Sequence, residues 1–211
     1  MKTVLLANIK GGSGKTMIAT NLSAALAMQG YSVILADADA QKSSLMWLKQ
    51  RPENTASITA VNLQNLKKMP DEDQADFMVI DAPGGIEIDH FAELIVASDV
   101  LVVPTQISFF DIDSTRRFIK KIDDIKRIRK GKVPIYMVAN RVRATQKKQT
   151  DENHMWMSDE IGREPFVYLS ERIAYAQLAA SGLSVFDYHL KKYRLTQDEW
   201  QPLLQAIIDL R

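Results

Sequence analysis

The sequence of 211 residues contains no cysteine, which excludes disulfides, thiolate zinc sites, iron–sulfur clusters and cysteine nucleophiles. It also lacks long apolar runs. The N-terminal run over residues 4–7 is too short for a signal peptide, and no stretch approaches the roughly 18 apolar residues of a membrane span. Because no linker rich in Gly, Pro or Ser divides the chain, we expect residues 1–211 to form one globular domain in the cytoplasm.

Charged residues are unevenly distributed, although the net charge is only +1. Residues 116–148 contain 13 Lys or Arg and two Asp, a local charge of +11, so the rest of the chain carries −10. Such asymmetry favours a polyanion-binding surface, although charged residues also solvate the outer faces of helices. Few aromatic residues lie among these cations, which favours contact with a duplex backbone over stacking on single-stranded bases.

Short apolar runs alternate with helical patterns along the chain. The runs predict buried strands over residues 3–7, 32–36, 77–80, 100–103 and 135–138. The spacing of apolar residues predicts helices over 15–28, 43–49, 90–97, 111–129 and from about 200 onward. In the last third we also expect Ser170 to cap a helix, residues 184–186 to form a strand, and Thr196 with Glu199 to form a capping box. Apolar strands alternating with helices predict an α/β fold, a mostly parallel twisted sheet flanked by helices on both faces.

The segment KGGSGKT, residues 10–16, joins the first predicted strand to the first predicted helix. In that position successive backbone N–H groups turn inward around phosphate oxygens, and the helix N-terminus adds the positive end of its dipole. Lys15 is expected to lie along the β- and γ-phosphates, and the Thr16 hydroxyl to ligate Mg²⁺. The usual pattern has a glycine where Ile9 stands and no counterpart of Lys10. The expected phosphate contacts are Gly11, Gly12, Ser13, Gly14, Lys15 and Thr16.

Three aspartates end predicted strands and supply carboxylates near one edge of the sheet. Asp81 follows the apolar run FMVI and is expected to hold the metal, with Gly84 and Gly85 allowing the next loop to move. Asp37 and Asp39 follow the second strand in ADADAQ, and one of them is expected to orient or deprotonate the attacking water. Each aspartate could instead only cap a following helix, so that alternative stays open.

These segments together resemble the ParA-type partition ATPases, within the deviant Walker A group of P-loop ATPases, whose loop reads K-G-G-x-G-K-[ST]. Residues 10–16 match that loop completely. In the family's order, its D-x-D-P-Q segment, Walker B strand, Pro-Thr segment and C-terminal stretch resemble ADADAQKSSLMWLKQR, FMVIDAPGG, VVPTQISFFDIDS and RIAYAQLAASGLSVFDY. Ala40 replaces the usual proline and Met17 a common second threonine, and neither departure removes a charged group.

The resemblance implies a P-loop NTPase fold, ATP and Mg²⁺ as cofactors, and slow hydrolysis by a homodimer that sandwiches ATP. It implies that Lys10 reaches the phosphates of the ATP held by the partner subunit, as an arginine finger does. It also implies that Asp39 positions the water, Asp37 supports the site and Asp81 holds Mg²⁺ through water. The catalytic residues are then Lys10, Lys15, Asp37 and Asp39, and further nucleotide contacts come from Lys10, Met17, Asn140 and Arg141. The last two residues would meet the adenine, although Asn140 could equally be a plain turn residue.

The resemblance also gives the basic segment a role, because ParA-type dimers bind DNA without sequence preference. A segment of +11 per subunit, doubled by dimerisation, could neutralise several phosphates at once. Arg172 matches a position where the family carries a DNA-contacting arginine. The expected contacts with double-stranded DNA are Arg116, Arg117, Lys120, Lys121, Arg143, Lys147, Lys148 and Arg172.

The first predicted strand begins at Thr3, so no N-terminal helix-turn-helix domain is expected, as in the small, ParF-like class. The implied partner is a small centromere-binding, ParB-like protein that stimulates hydrolysis, and the implied location is the nucleoid. The cargo stays open between a plasmid, a chromosome and a protein assembly. A MinD-like membrane-positioning ATPase is disfavoured because the last helix is acidic, so no membrane partner is expected. A dethiobiotin-synthetase-like ligase would leave the basic segment without a purpose, and the missing cysteines exclude nitrogenase-reductase chemistry.

Overall fold

Seven strands form one parallel sheet in a computed structural model that describes residues 1–65, 70–71, 73–85, 88–143, 145, 150–188 and 190–210. Their bounds are β1 Lys2–Leu6, β2 Val33–Asp37, β3 Thr59–Asn62, β4 Phe77–Asp81, β5 Val100–Gln106, β6 Ile135–Val142 and β7 Pro165–Ser170. The order across the sheet is β3-β2-β4-β1-β5-β6-β7, and neighbouring strands all pair in parallel. The carboxyl ends of all these strands therefore meet at one edge.

Helices cover both faces of the sheet. Their bounds are α1 Lys15–Met28, α2 Ser43–Gln50, α3 Ile88–Val96, α4 Phe109–Ile122, α5 Lys126–Arg129, α6 Thr150–Ile161, α7 Ile173–Ala179, α8 Lys191–Asp198 and α9 Gln201–Ile208. Side chains along a buried strand alternate between the two faces. In β1, Val4 and Leu6 join an apolar cluster with α1 and α9, whereas Leu5 joins the opposite cluster with α4 and α6. The predicted α/β fold class is confirmed.

The last helix packs on the sheet, as predicted. Leu203, Leu204 and Ile207 of α9 are buried in the same cluster as Val138 and Val167 of β6 and β7. Their spacing of one and three residues places them on one side of the helix. No helix within the described ranges is long and apolar enough to cross a membrane.

The prediction misses the two strands at the edges of the sheet and divides one helical region wrongly. β3 has only four residues, two of them exposed, so it carries little apolar signal. β7 begins with a proline, which is typical of an edge strand. The helix predicted over 111–129 is two helices, α4 and α5, because Ile125 between them has an extended backbone.

In the last third of the chain, polar side chains make hydrogen bonds that differ from those of the predicted helix caps and strand. Ser170 ends β7, and its hydroxyl donates to Glu199 at 2.6 Å, so neither residue forms the helix cap predicted for it. Residues 184–186 form part of a turn rather than a strand, because Asp187 accepts hydrogen bonds from both the amide and the hydroxyl of Ser184, each at 2.7 Å. A tertiary contact therefore replaces the predicted caps, and a local side-chain contact replaces the predicted strand.

A buried ion pair fixes α2 against the loop that follows α7. Arg51, directly after α2, donates two hydrogen bonds to the carboxylate of Asp187, at 2.6 and 3.0 Å. These side chains are only 5% and 2% exposed. The ring N–H of Trp47 also donates to the carbonyl of Leu183 at 3.2 Å. Helix α2 is therefore held in place beside the site described next.

Candidate nucleotide site

The glycine-rich segment forms the turn between β1 and α1, at the carboxyl edge of the sheet. Gly12 and Gly14 have φ angles of +77° and +101°, in the left-handed region that favours glycine. The turn borders a cavity of about 640 Å³, a volume that suits a small-molecule ligand. The predicted site residues that line this cavity are Gly11, Gly12, Gly14, Lys15, Thr16, Met17, Asp39 and Arg141.

Asn140, near the end of β6, contacts the backbone of the phosphate loop. Its amide nitrogen donates to the carbonyl of Ser13 at 2.8 Å, and both residues are almost fully buried. A Cβ atom added at Gly14 would lie 2.0 Å from that nitrogen. The amide oxygen of Asn140 accepts a hydrogen bond from the backbone of Arg141, whose φ is +53°. Asn140 therefore positions the loop, whatever contact it makes with a base.

Replacing Gly14 by alanine is expected to lower the free energy of unfolding by about 1–3 kcal/mol. The new methyl group would collide with Asn140, and the residue would have to hold a positive φ. Urea denaturation measures the loss. Gly30→Ala is the matched control, because Gly30 has a φ of +92° but no atom within 4 Å of an added Cβ. Equal losses in the two variants would contradict a role for the Asn140 contact.

Lys15 is a nearly buried cation beside the loop, with 7% of its surface exposed. Its ammonium group donates to the carbonyls of Asn8 and Lys10, at 3.1 and 3.4 Å. Burial lowers the pKa of this ammonium, and the carboxylates of Asp81 and Asp39 oppose that shift. A cation fixed in this way suits charge-assisted hydrogen bonds to phosphate oxygens.

Asp81 ends β4 as a carboxylate that is 1% exposed. Among the described residues, neither of its oxygens has a hydrogen-bond partner. Burial raises the pKa of this carboxyl to about 7, the nearby Thr16 hydroxyl and Lys15 oppose the rise, and Asp37 adds to it. A buried carboxylate without partners is unfavourable unless a cation binds it.

Thr16 and Asp81 fit a magnesium ion that is held mainly by phosphates and water. Mg²⁺ commonly takes one or two carboxylates and completes its shell with substrate phosphate oxygens and water. Here the Thr16 hydroxyl and the Asp81 carboxylate supply protein oxygens. The described ranges contain no group of three or more His, Cys, Asp or Glu side chains that could hold a metal.

Asp37 and Asp39 have different surroundings. Asp37 is fully buried, and one of its oxygens accepts a hydrogen bond from the Asp39 amide at 2.8 Å. The other oxygen accepts from the amide and hydroxyl of Ser44, at 3.1 and 2.6 Å. Asp39 is half-buried and lines the phosphate cavity. The capping alternative therefore applies to Asp37, and we propose that it positions Asp39 instead of acting as a catalytic residue.

Two residues that the sequence motifs do not single out hold the loop in place. Asn8 is fully buried, donates to the Thr115 hydroxyl at 2.9 Å and accepts a hydrogen bond from the Lys10 amide at 3.1 Å. Gln106 ends β5 and donates to the carbonyl of Gly12 at 3.0 Å. Both are polar residues at the carboxyl ends of apolar strands, where sites of parallel sheets form, and that signal could have found them.

A second cavity, of about 690 Å³, adjoins the phosphate cavity. It lies between α1, α2 and α7, and it shares Thr16, Met17, Ser43 and Arg141 with the first cavity. Asn140 and Trp47 also line it. Its position next to the loop and its partly aromatic lining suit a nucleotide base. The predicted contacts of Asn140 and Arg141 with adenine stay predictions.

Four of the predicted DNA contacts lie on α4. Arg116 and Arg117 each place a guanidinium nitrogen 2.7 Å from a carboxylate oxygen of Asp113. Lys120 and Lys121 follow them and are exposed. The two arginines therefore share one counter-charge within their own helix, whereas the two lysines extend the positive surface toward α5.

The other predicted DNA contacts lie near the carboxyl ends of β6 and β7. Arg143 follows β6, 3.4 Å from a carboxylate oxygen of Glu171. Arg172 directly precedes α7 and is 44% exposed. Lys147 and Lys148 lie outside the described residues.

The parallel sheet, the phosphate loop and the buried aspartate at the end of β4 together define a P-loop nucleotide-binding protein. A family model described as the CobQ/CobB/MinD/ParA nucleotide binding domain matches residues 4–185. The match covers most of the chain, including the loop and all three aspartates. The chain belongs to this family, and the resemblance to ParA-type ATPases is confirmed.

Two curated relatives match nearly the whole chain. The maintenance of carboxysome distribution protein A of Halothiobacillus neapolitanus is 27% identical, over 98% of this chain and 96% of the relative. The protein virC1 of Rhizobium rhizogenes is 26% identical, over 97% of this chain and 90% of the relative. Both similarities run through all the segments that form the site.

Solved structures share the fold. An ATP complex of a Cyanothece McdA variant has a TM-score of 0.75 at 18% identity, covering 100% of this chain and 97% of that one. MinD of Aquifex aeolicus has a TM-score of 0.76 at 17% identity, covering 99% of this chain and 97% of that one. At these identities the likeness shows the fold alone.

Proposed function

We propose that the protein is a Mg²⁺-dependent ATPase that positions a cargo through cycles of ATP binding, dimerisation and hydrolysis. The proposal rests chiefly on the Asp81 carboxylate, which is buried close to the Thr16 hydroxyl and the Lys15 ammonium and has no well-formed hydrogen bond among the described residues. Lys15 and Thr16 line the phosphate cavity. A buried cation and a buried anion next to each other at this cavity suit an anionic substrate that arrives with its own metal ion. Mg-ATP has that chemistry.

The residues around the cavity have separate tasks in hydrolysis. Backbone N–H groups of residues 11–14 and the ammonium of Lys15 hold the phosphate oxygens. Thr16 and Asp81 would hold Mg²⁺, which when bound offsets charge on the phosphoryl group. Asp39 lines the cavity and orients the attacking water, while Asp37 fixes the backbone of Asp39.

Lys10 acts on the partner subunit in this proposal. It is not among the described residues that line the phosphate cavity of its own subunit, although Asn8 fixes its backbone beside that cavity. A cation supplied in trans to the transferring phosphoryl group stabilises the charge of the transition state. ATP then forms part of the dimer interface, so the oligomeric state follows the nucleotide.

Two exposed aromatic residues support a dimer face next to the loop. Phe109 and Phe110, at the start of α4, are 68% and 75% exposed, and their rings are 5.5 Å apart in an edge-to-face arrangement. They follow Gln106 closely, and Gln106 binds the Gly12 carbonyl. Full burial of each ring would contribute about 1.5–3 kcal/mol. We propose that the second subunit covers these rings when both subunits hold ATP.

The double variant Phe109→Ser/Phe110→Ser is expected to bind ATP normally but to dimerise at least about 10-fold more weakly, because little apolar surface is then buried at this place. Sedimentation equilibrium in a slowly hydrolysed ATP analogue measures the change. Leu195→Ser is the matched control, since Leu195 is 73% exposed on α8. If the double variant dimerises as the wild type does, or if the control weakens dimerisation equally, the two rings do not lie in the dimer interface.

The cargo part of the proposal rests on relatives and on charge. One relative that spans this chain is named for carboxysome distribution, so we propose a protein assembly as the cargo, with plasmid or chromosomal DNA as the alternative. A small adaptor protein would stimulate hydrolysis, and with a DNA cargo it would be a centromere-binding protein. The local charge of +11 supports nonspecific binding of the ATP dimer to duplex DNA, and hence a location on the nucleoid within the cytoplasm.

Release of phosphate from ATP by the purified protein tests this function. We expect slow turnover that requires Mg²⁺, stops in EDTA and is lost in Lys15→Ala, because the phosphate oxygens then lose their nearest cation. Duplex DNA and adaptor candidates can be added to the same assay. Equal turnover by wild-type protein and Lys15→Ala would mean that the activity does not come from this site.

A further inference from the structure

Three buried polar side chains lie beneath the phosphate loop, between β5 and α4. Asn8, Thr105 and Thr115 are each at most 1% exposed, and we call them the polar cluster. Nearby residues of α4 such as Ile112 and Phe118 belong to the apolar core. Burying amide and hydroxyl groups in such a core is unfavourable unless they are hydrogen-bonded. Since apolar residues could fill this space without that requirement, the hydrogen bonds of the polar cluster need a role.

The hydrogen bonds of the polar cluster have a defined direction. The Asn8 amide nitrogen donates to the Pro104 carbonyl at 2.8 Å and to the Thr115 hydroxyl at 2.9 Å. Because a carbonyl can only accept, the amide oxygen of Asn8 must face the Lys10 N–H, 3.1 Å away. The Thr115 hydroxyl donates its single proton to the Thr105 hydroxyl at 2.9 Å, so its lone pairs face Asn8. Thr115 therefore helps to orient the side chain that holds the Lys10 backbone.

Thr115 differs in its contacts from a typical threonine inside a helix. Such a hydroxyl often donates to the backbone carbonyl four residues earlier. Thr20 in α1 does so, since its hydroxyl donates to the Thr16 carbonyl at 2.9 Å. The Thr115 hydroxyl instead contacts Thr105 in β5 and Asn8 in the segment after β1. It therefore connects α4 to other elements and does not serve its own helix.

The polar cluster also links the phosphate loop to the proposed dimer face. Phe109 and Phe110 begin α4, and Thr115 follows on the same helix, about 8 Å further along its axis. Packed helices and hydrogen-bonded side chains can carry a displacement from one site to another. A shift of the first turn of α4 on dimerisation would therefore reach the Asn8 amide, and with it Lys10, through the Thr115 hydroxyl.

We propose that Thr115 is a positioning residue for Lys10, whose hydroxyl holds the loop in the conformation that presents this lysine to the ATP of the second subunit. Thr115 has this role only if Lys10 acts in trans, so the inference rests on that part of the proposed function. The Lys10 peptide is held at its N–H by Asn8 and at its carbonyl by the Lys15 ammonium. When Lys15 binds phosphate oxygens as proposed, the Asn8 contact carries more of this task. A displacement of about 1 Å at a reacting group can cost about 100-fold in rate.

The test is a double-mutant cycle between Thr115→Val and Lys10→Ala, measured by single-turnover hydrolysis of radiolabelled ATP. Valine has nearly the shape of threonine but no hydroxyl. In the wild-type background, Thr115→Val should lower the rate by about 10- to 100-fold and leave the Kd of a fluorescent ATP analogue within about 2-fold. In the Lys10→Ala background it should lower the remaining rate by less than about 2-fold, because the side chain through which it acts is already absent. Thr115→Ser retains the hydroxyl and should keep the rate within about 3-fold of the wild type.

Ser98→Ala is the matched control for the loss of a buried hydroxyl. Ser98 lies between α3 and the amino end of β5, is fully buried, and donates to the Leu94 carbonyl at 2.6 Å. This variant should change the rate by less than about 2-fold in both backgrounds. Circular dichroism and urea denaturation check that each variant is folded. If Thr115→Val does not fold, Thr105→Val takes its place in the cycle, because it removes the acceptor of the Thr115 proton.

The outcomes distinguish a failure of this inference from a failure of the proposed function. Equal losses from Thr115→Val in both backgrounds, no loss in either, or a loss of ATP binding that parallels the loss of rate would overturn the role of Thr115 and leave the proposed function in place. So would a rate in Thr115→Ser as low as that of Thr115→Val. Hydrolysis by Lys10→Ala at the wild-type rate would overturn the role of Lys10, and the role of Thr115 with it, while the ATPase would stand. Absence of turnover by the wild-type protein would overturn the proposed function and both roles.

Discussion

Lys10→Ala is expected to reduce ATP hydrolysis by about 10³-fold, which corresponds to roughly 4 kcal/mol of transition-state stabilisation. ATP binding should stay near the wild-type level, because the described residues that line the subunit's own phosphate cavity do not include Lys10. The variant should also lose ATP-dependent dimerisation. The carbonyl of Lys10, which accepts a hydrogen bond from Lys15, is retained in the variant, so the loop keeps its contacts.

Single-turnover hydrolysis and equilibrium binding of a fluorescent ATP analogue separate these effects. Lys49→Ala is the control, because Lys49 is an exposed lysine on α2 that lines neither the phosphate cavity nor the adjoining one. Mixing Lys10→Ala with a variant that lacks Lys15 should restore some activity if the cation acts in trans, since one of the two composite sites then has both lysines. Hydrolysis and dimerisation at wild-type rates in Lys10→Ala would remove this lysine from the mechanism.

Asp81→Asn is expected to change activity and stability in opposite directions. Hydrolysis should fall by at least about 100-fold, because a bound metal ion would stabilise the transition state by several kcal/mol and the variant lacks the carboxylate that we propose holds it. In metal-free buffer near pH 8, in contrast, the variant should be more stable than the wild type. Asparagine has a similar volume, and it removes a charged group that is buried without a hydrogen-bond partner among the described residues.

The pH dependence of stability follows from the raised pKa of Asp81. Its pKa is 3.8 in the unfolded reference and about 7 in the folded protein, so the folded state binds this proton more tightly. The stability contributed by the group is therefore present at low pH, falls as pH rises from about 4 to about 7, and stays low above that range. Between about pH 5 and pH 8 the change amounts to roughly 3 kcal/mol.

Urea denaturation in EDTA at several pH values tests this linkage. The free energy of unfolding of Asp81→Asn minus that of the wild type should rise by about 3 kcal/mol from acidic to alkaline pH, and this difference cancels other titrating groups. Adding Mg-ATP should stabilise the wild type far more than the variant. A difference that does not change with pH would mean that Asp81 stays ionised throughout this range. Burial would then not raise the pKa of its carboxyl.

Local physics explains which structural elements around the candidate site can be predicted from the sequence. The glycines and Lys15 of the loop act through backbone turns and a helix N-terminus only a few residues apart, so the pattern KGGSGKT specifies both the turn and the helix Lys15–Met28. Asp81 is predicted by the same kind of reasoning, because an aspartate that ends a fully apolar strand lies at the carboxyl edge of a parallel sheet.

The features that the sequence does not predict depend on partners far along the chain. Asn140 binds Ser13 across 127 residues, and Arg51 binds Asp187 across 136 residues. No spacing pattern in the sequence predicts contacts between residues so far apart. The assignment of Asp37 also needed the structure, because a carboxylate that caps α2 and one that faces phosphate look alike in ADADAQ. The basic segment likewise divides into arginines paired with Asp113 on α4 and cations of residues 126–132 that have no ion pair with any described residue, and only the structure shows this division.

Sedimentation velocity of the wild-type protein is the direct test of a nucleotide switch in which ATP joins two subunits. With ADP and Mg²⁺ we expect a monomer of 23.8 kDa, and with a slowly hydrolysed ATP analogue and Mg²⁺ a species of twice that mass. A single 23.8-kDa species in both nucleotides, with the analogue demonstrably bound, would contradict it.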